Sequence, residues 1–103
     1  MRYEFHPAAL EEYHQAALWY AEREQQVGLK FVASVEEAIG RIVEAPTRWR
    51  VVNEDVRRCL TRVFPFGLLY TIEADFILIV AVMHFSREPD YWKSRIESRR
   101  ASV

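Results

Sequence analysis

Phe64-Pro65-Phe66-Gly67-Leu68-Leu69-Tyr70-Thr71-Ile72-Glu73-Ala74-Asp75-Phe76-Ile77-Leu78-Ile79-Val80-Ala81-Val82-Met83-His84 decides the architecture. Phe64-Pro65-Phe66 opens a hairpin whose strands, Gly67 to Glu73 and Phe76 to Met83, turn around Ala74-Asp75. Strands this long joined by so short a turn pair antiparallel. The second strand carries no charge. A half-exposed strand would alternate apolar with polar residues, so this one is predicted to be buried on both faces. It delivers His84, Phe85, Ser86, Arg87, Tyr91, Trp92 and Arg95 to one end of the sheet, where chemistry or binding is concentrated.

Working outward, Val56 to Val63 is predicted as a further strand, Asn53-Glu54-Asp55 as a turn and Trp49 to Val52 as a short edge strand. Tyr3-Glu4-Phe5 alternates and is stopped by Pro7, which predicts a first strand. From Ala8 to about Gln25, Leu10, Tyr13, Ala17 and Tyr20 recur at helical spacing, and Val27-Gly28 reads as the end of that helix. Phe31, Val32, Val35, Ala38, Ile39 and Ile42 mark a second helix, closed before Ala45-Pro46 because proline disfavours helix in the residue it follows. So short a connection makes the two helices an antiparallel hairpin. Pro89 to about Arg100 reads as a short helix or arm. The fold class is therefore α+β: an N-terminal strand and a helical hairpin packed on a small, mainly antiparallel sheet. Residues 1–103 are expected to form one domain, since no repeat, low-complexity linker or composition break divides them.

Half of the 103 residues are hydrophobic, which argues against disorder, and three Trp, five Tyr and six Phe can bury much area. Cys59 is the sole cysteine, so neither an internal disulfide nor a cysteine metal cluster can form. The chain has no apolar run of the roughly eighteen residues a membrane span needs and no signal-peptide core, and is expected to be soluble and cytoplasmic. The net charge of −1 argues against a general nucleic-acid coat. The charge is unevenly distributed: residues 1–47 hold four Lys+Arg against eight Asp+Glu, and residues 48–103 hold ten against seven. A basic second half suits a phosphate backbone or an acidic peptide, or simply a solvated surface.

Glycine-rich phosphate loops and nucleophile elbows are absent, and His6, His14 and His84 lack the spacing of a metal site. No cofactor is expected. Two readings fit His84 and Arg87. An imidazole can move a proton and a guanidinium can hold a phosphate; alternatively, His84 hydrogen-bonds a neighbouring strand and Arg87 pairs with Glu88 or Asp90. In a continuous strand Arg58 and Arg62 share a face and Arg57 takes the other, so Arg58 and Arg62 can line a groove or pair with the helical glutamates. Tyr91-Trp92 can stack on a base or anchor the C-terminal segment.

At these residues the chain resembles the RelE/ParE superfamily of toxins from type II toxin-antitoxin pairs. The likeness runs through Val56-Arg57-Arg58, Arg62-Val63-Phe64-Pro65-Phe66, Leu69-Tyr70, the strand ending in Met83-His84, and Arg87, Pro89-Asp90-Tyr91-Trp92 and Arg95. It implies a groove covered by an antitoxin encoded beside the toxin, with Arg58, Arg62 and Arg87 meeting its acidic residues. Two activities occur on this fold: ParE-like inhibition of DNA gyrase and RelE-like cleavage of mRNA on the ribosome. RelE-like nucleases resemble one another in an arginine three residues before the strand tyrosine, a place held here by Gly67. The resemblance therefore favours the gyrase inhibitor. The RelE-like alternative would be a metal-independent endoribonuclease with His84 or Tyr91 handling a proton and Arg62 or Arg87 stabilising charge. A third reading is a binding module on the same fold without toxicity.

Overall fold

His6 explains how the first strand becomes the first helix. In the computed structural model, which describes residues 1–101, β1 (Arg2–Phe5) ends at His6, whose extended backbone and ring Nδ1 cap α1 (Pro7–Arg23). Nδ1 accepts the Ala8 N–H at 3.0 Å, and Pro7 fills the first helical turn, where its missing N–H costs nothing. Burial and the nearby Arg95 charge lower the His6 pKa, with Glu12 partly opposing them. The neutral acceptor form is thereby favoured.

The break between the helices falls at Glu24 rather than at Val27-Gly28. Glu24 is extended and serves as C-cap of α1 and N-cap of α2 (Gln25–Glu44). Gly28 lies inside α2, buried against α1: a Cβ there would stand 2.7 Å from Ala21 Cβ and 2.8 Å from Ala21 Cα. The glycine thus permits close approach of two helices instead of ending one. Leu10, predicted on the apolar face of α1, is half exposed, and Ala9 takes the buried place with Tyr13, Ala16, Ala17 and Tyr20 around it.

The strands are β2 (Arg50–Asn53), β3 (Val56–Leu60), β4 (Phe66–Ile72) and β5 (Phe76–His84), and with β1 they form one sheet in the order β1-β5-β4-β3-β2. β1 runs parallel to β5 while the other neighbours are antiparallel. The helical hairpin covers one face, with Phe31, Val35, Ala38 and Ile42 packed on Cys59, Leu68, Tyr70, Ile77, Ile79 and Val82. On the other face Trp92 and Ile96 of the C-terminal segment pack on Val56, Leu69, Val80 and Ala81. Burial of β5 on both faces follows from this sandwiching, as its uncharged sequence predicts. Each fully buried Ile, Leu or Phe contributes about 1.5–3 kcal/mol relative to exposure. A register shift at Leu69/Tyr70 leaves Val80 and Ala81 together on the second face, a local bulge that breaks the alternation.

β3 is shorter than predicted. It stops at Leu60, and residues 61–65 form a corner in which Val63 has φ 75°. The C-terminal segment is helical, as α3 (Lys93–Ala101). Among the described residues no helix is long and apolar enough to cross a membrane.

Candidate functional site

β1 is too short to cover β5. Its last partner is Ile79, with His6 N–H donating to the Ile79 carbonyl at 2.9 Å. Beyond that point, among the described residues, no strand lies beside the outer edge of β5, and exposed backbone groups there invite unwanted pairing. Two charged side chains fill part of the gap. Glu12 of α1 accepts the Val82 N–H at 3.0 Å, and Arg95 of α3 donates to the Val80 carbonyl at 2.9 Å. The two side chains pair bidentately at 2.9 Å and 2.9 Å, both largely buried. Tyr91 donates its hydroxyl to the same carboxylate at 2.6 Å. A buried ion pair is sound only when its remaining lone pairs and protons are satisfied, and here Glu12 is bonded from three elements.

That network engages the Tyr91 hydroxyl. Burial, the Glu12 hydrogen bond and the Glu12 charge push its pKa well above the ordinary phenol value. The hydroxyl stays protonated and committed to a carboxylate. Burial alone would lower the Arg95 pKa, but the Glu12 hydrogen bond and charge raise it overall.

His84 and Arg87 border a pocket of about 310 Å³ with Glu11, Glu12, Gln15, Phe66 and Val82. His84 Nδ1 accepts the Ser86 N–H at 2.9 Å, and the ring stands edge-on to Phe66 at 5.0 Å. The neutral ring therefore carries its proton on Nε2. The exposed Arg87 guanidinium lies 3.8 Å from the Tyr91 ring centroid. Gln15, Phe66 and His84 also border a second pocket of about 370 Å³, completed by Ala16, Trp19 and Tyr20. Trp19 is half exposed, and Arg23 stacks on it at 3.5 Å. The two pockets make one groove between α1 and the end of β5, apolar along its floor and flanked by Arg23 and Arg87.

The other arginines lie elsewhere. Because β3 ends at Leu60, Arg58 and Arg62 do not share a strand face. Arg58 sits on the α3 side with Leu69, Met83 and Trp92, whereas Arg62 reaches Glu37 of α2 at 3.6 Å. Arg57 donates to the carbonyls of Thr47 and Trp49 and holds the loop after α2. Gly67 also faces the α3 side: a Cβ there would meet the Arg58 side chain and Leu60 at 3.3 Å. Of the residues proposed from sequence, the structure joins His84 and Arg87 in one pocket, links Tyr91 to it through the Arg87 stack and the hydrogen bond to Glu12, and leaves Arg58 and Arg62 outside. Arg95 is among the residues read from the sequence at this end of the sheet, whereas its partner Glu12, the charged centre of this region, is not. The available signal was a glutamate at a core-facing position of α1, between Ala9 and Ala16.

A family model described as the ParE toxin of the type II toxin-antitoxin system, parDE, matches residues 3–89. The chain belongs to the ParE toxin family. No curated protein sequence matches it. A solved structure titled "Chromosomal ParDE TA system from P. aeruginosa" contains a chain of similar fold, with TM-score 0.71 at 15% identity over 82% of this chain and 95% of that one. At that identity the likeness concerns the fold alone.

Proposed function

We propose that this ParE-family toxin inhibits DNA gyrase and is kept silent by a cognate antitoxin encoded beside it. The observation that carries the target assignment is the dispersal of the candidate catalytic groups. Cleavage through an RNA 2′-hydroxyl needs a proton-transfer group and cations converging on one phosphate. Here Tyr91 is bound to Glu12, Arg62 lies beside α2, and Gly67 brings no cation. That leaves His84 and Arg87, which together make a binding pocket more readily than a nuclease site. Assays of supercoiling by purified gyrase are expected to show inhibition, while primer extension on a translated message shows no added cuts at the decoding site. Discrete cuts abolished by His84→Ala or Arg87→Ala would instead establish ribosome-dependent cleavage.

The antitoxin reading rests on the shape of the α1–β5 groove. An extended or helical segment can lay apolar side chains over Trp19, Tyr20 and Phe66 while its carboxylates meet Arg23 and Arg87. Of the three arginines expected to meet it, Arg87 alone borders this groove. Expression of the chain by itself should arrest growth, and co-expression of the neighbouring protein should restore it. Normal growth with abundant folded protein would identify a binding module without toxicity.

A further inference from the structure

Val63 is 96% exposed and has φ 75°, a conformation β-branched residues avoid. A single exposed apolar side chain is ordinary. The combination is not, because glycine or asparagine would hold the same turn at lower steric cost, and a fully solvated valine returns nothing to the core. The corner around it is held firmly. Ser34 donates to the Arg62 carbonyl at 2.8 Å and Arg41 to the Leu60 carbonyl at 3.0 Å. Thr61 bonds the Phe64 and Phe66 carbonyls, and Phe64 packs edge-on against Tyr20 and Phe31. Strain that survives only because its surroundings enforce it tends to mark a functional contact.

We propose that this corner, with Val63 at its tip and Arg62 beside it, is the contact through which the toxin engages a folded target protein. The assignment rests on the toxin reading above but not on gyrase being the target. Shape selects the kind of partner. A convex apolar tip needs a preformed recess, which a folded protein offers, whereas an antitoxin segment brings convex side chains of its own and needs the groove beside α1. Chemistry agrees: valine can neither stack on a base nor bind phosphate, and Arg62, held loosely by Glu37 and largely exposed, suits carboxylates at the rim of an apolar recess. A two-fold contact with a second copy would set Arg62 near its own counterpart, which like charge disfavours.

Val63→Gly and Val63→Asn both tolerate the left-handed backbone and remove the apolar tip. Each is expected to melt no lower than the parent, to bind the antitoxin unchanged, and to lose about tenfold or more in growth arrest at equal expression. Undiminished arrest by both variants would overturn the proposal, as would loss of antitoxin binding in step with arrest, or dissociation of a parent dimer into equally toxic monomers. If the parent arrests growth without inhibiting supercoiling, the gyrase assignment fails while the growth assay still decides the role of Val63. A parent chain that does not arrest growth at all would overturn both.

Discussion

Glu12 shows how much one buried charge can organise. Its carboxylate answers a strand N–H, a phenol and a guanidinium, so Glu12→Ala leaves Arg95 buried without its partner and the Val82 N–H unsatisfied. Breaking one side of such a pair costs about 3–5 kcal/mol. Urea unfolding should register a loss of that size for Glu12→Ala, and Glu12→Ala/Arg95→Ala should cost less than the sum of the single changes. Tyr91→Phe removes only one bond to the carboxylate, worth about 1.5–3 kcal/mol, and is expected to leave growth arrest intact at a temperature where the protein is folded. Loss of arrest in a stably folded Tyr91→Phe protein would return the hydroxyl to a catalytic role. His6 sets a pH dependence of its own. Its pKa is lowered in the fold, so the unfolded chain binds the proton more readily. The resulting stability is fully present above the unfolded value of about 6.5 and is lost as pH falls through the lower folded value. His6→Asn keeps a capping side chain but cannot titrate, and should flatten the decline of unfolding free energy as pH falls below about 6.5.

At the scale of elements, two glycines of α2 have opposite meanings. Gly28 faces Ala21 at a distance that leaves no room for a methyl group, and Gly40 has nothing within 4 Å of where one would stand. Gly28→Ala must push the helices apart and is expected to cost about 1–3 kcal/mol, while Gly40→Ala should stabilise by up to about 1 kcal/mol through helix propensity. Thermal melts of the two variants, shifted in opposite directions, would verify the packing. These residues also show why parts of the fold were legible and parts were not. Proline after His6 and after Ala45 sets helix limits by local sterics, and the uncharged run of β5 announces burial on both faces, so both were readable from sequence. A glycine signals a helix end or a close crossing equally well, and only the neighbouring helix decides which. Arg58 and Arg62 were paired on the assumption of an unbroken strand, but left-handed Val63 makes a corner that no turn-forming residue advertises. Glu12 stayed hidden because its partners lie 70, 79 and 83 residues away.

For the whole molecule, the decisive relation is between the concave groove and the convex corner. Tyr20 borders the groove and its ring lies 5.0 Å from that of Phe64, the residue after Val63, so the two surfaces meet at the same end of the molecule. An antitoxin segment in the groove would bring its own bulk beside the tip. Neutralisation should then be competitive, requiring no change in the toxin's shape: raising antitoxin concentration should weaken target binding in proportion to groove occupancy, and no ternary complex should form. The groove variants separate this from other arrangements. Trp19→Ala removes the largest apolar surface available to a bound segment and should weaken antitoxin binding by about 2 kcal/mol or more, chiefly through faster dissociation. Arg87→Ala should also weaken it and reduce its salt dependence, whereas Arg58→Ala on the opposite face of the sheet should change little. In growth assays, Trp19→Ala is expected to remain toxic yet need more antitoxin for rescue. Calorimetry with the neighbouring protein, followed by size exclusion of toxin, antitoxin and target together, tests the arrangement directly. A stable ternary complex, or an affinity that falls with Arg58→Ala and not with Trp19→Ala, would place the antitoxin on the α3 face instead.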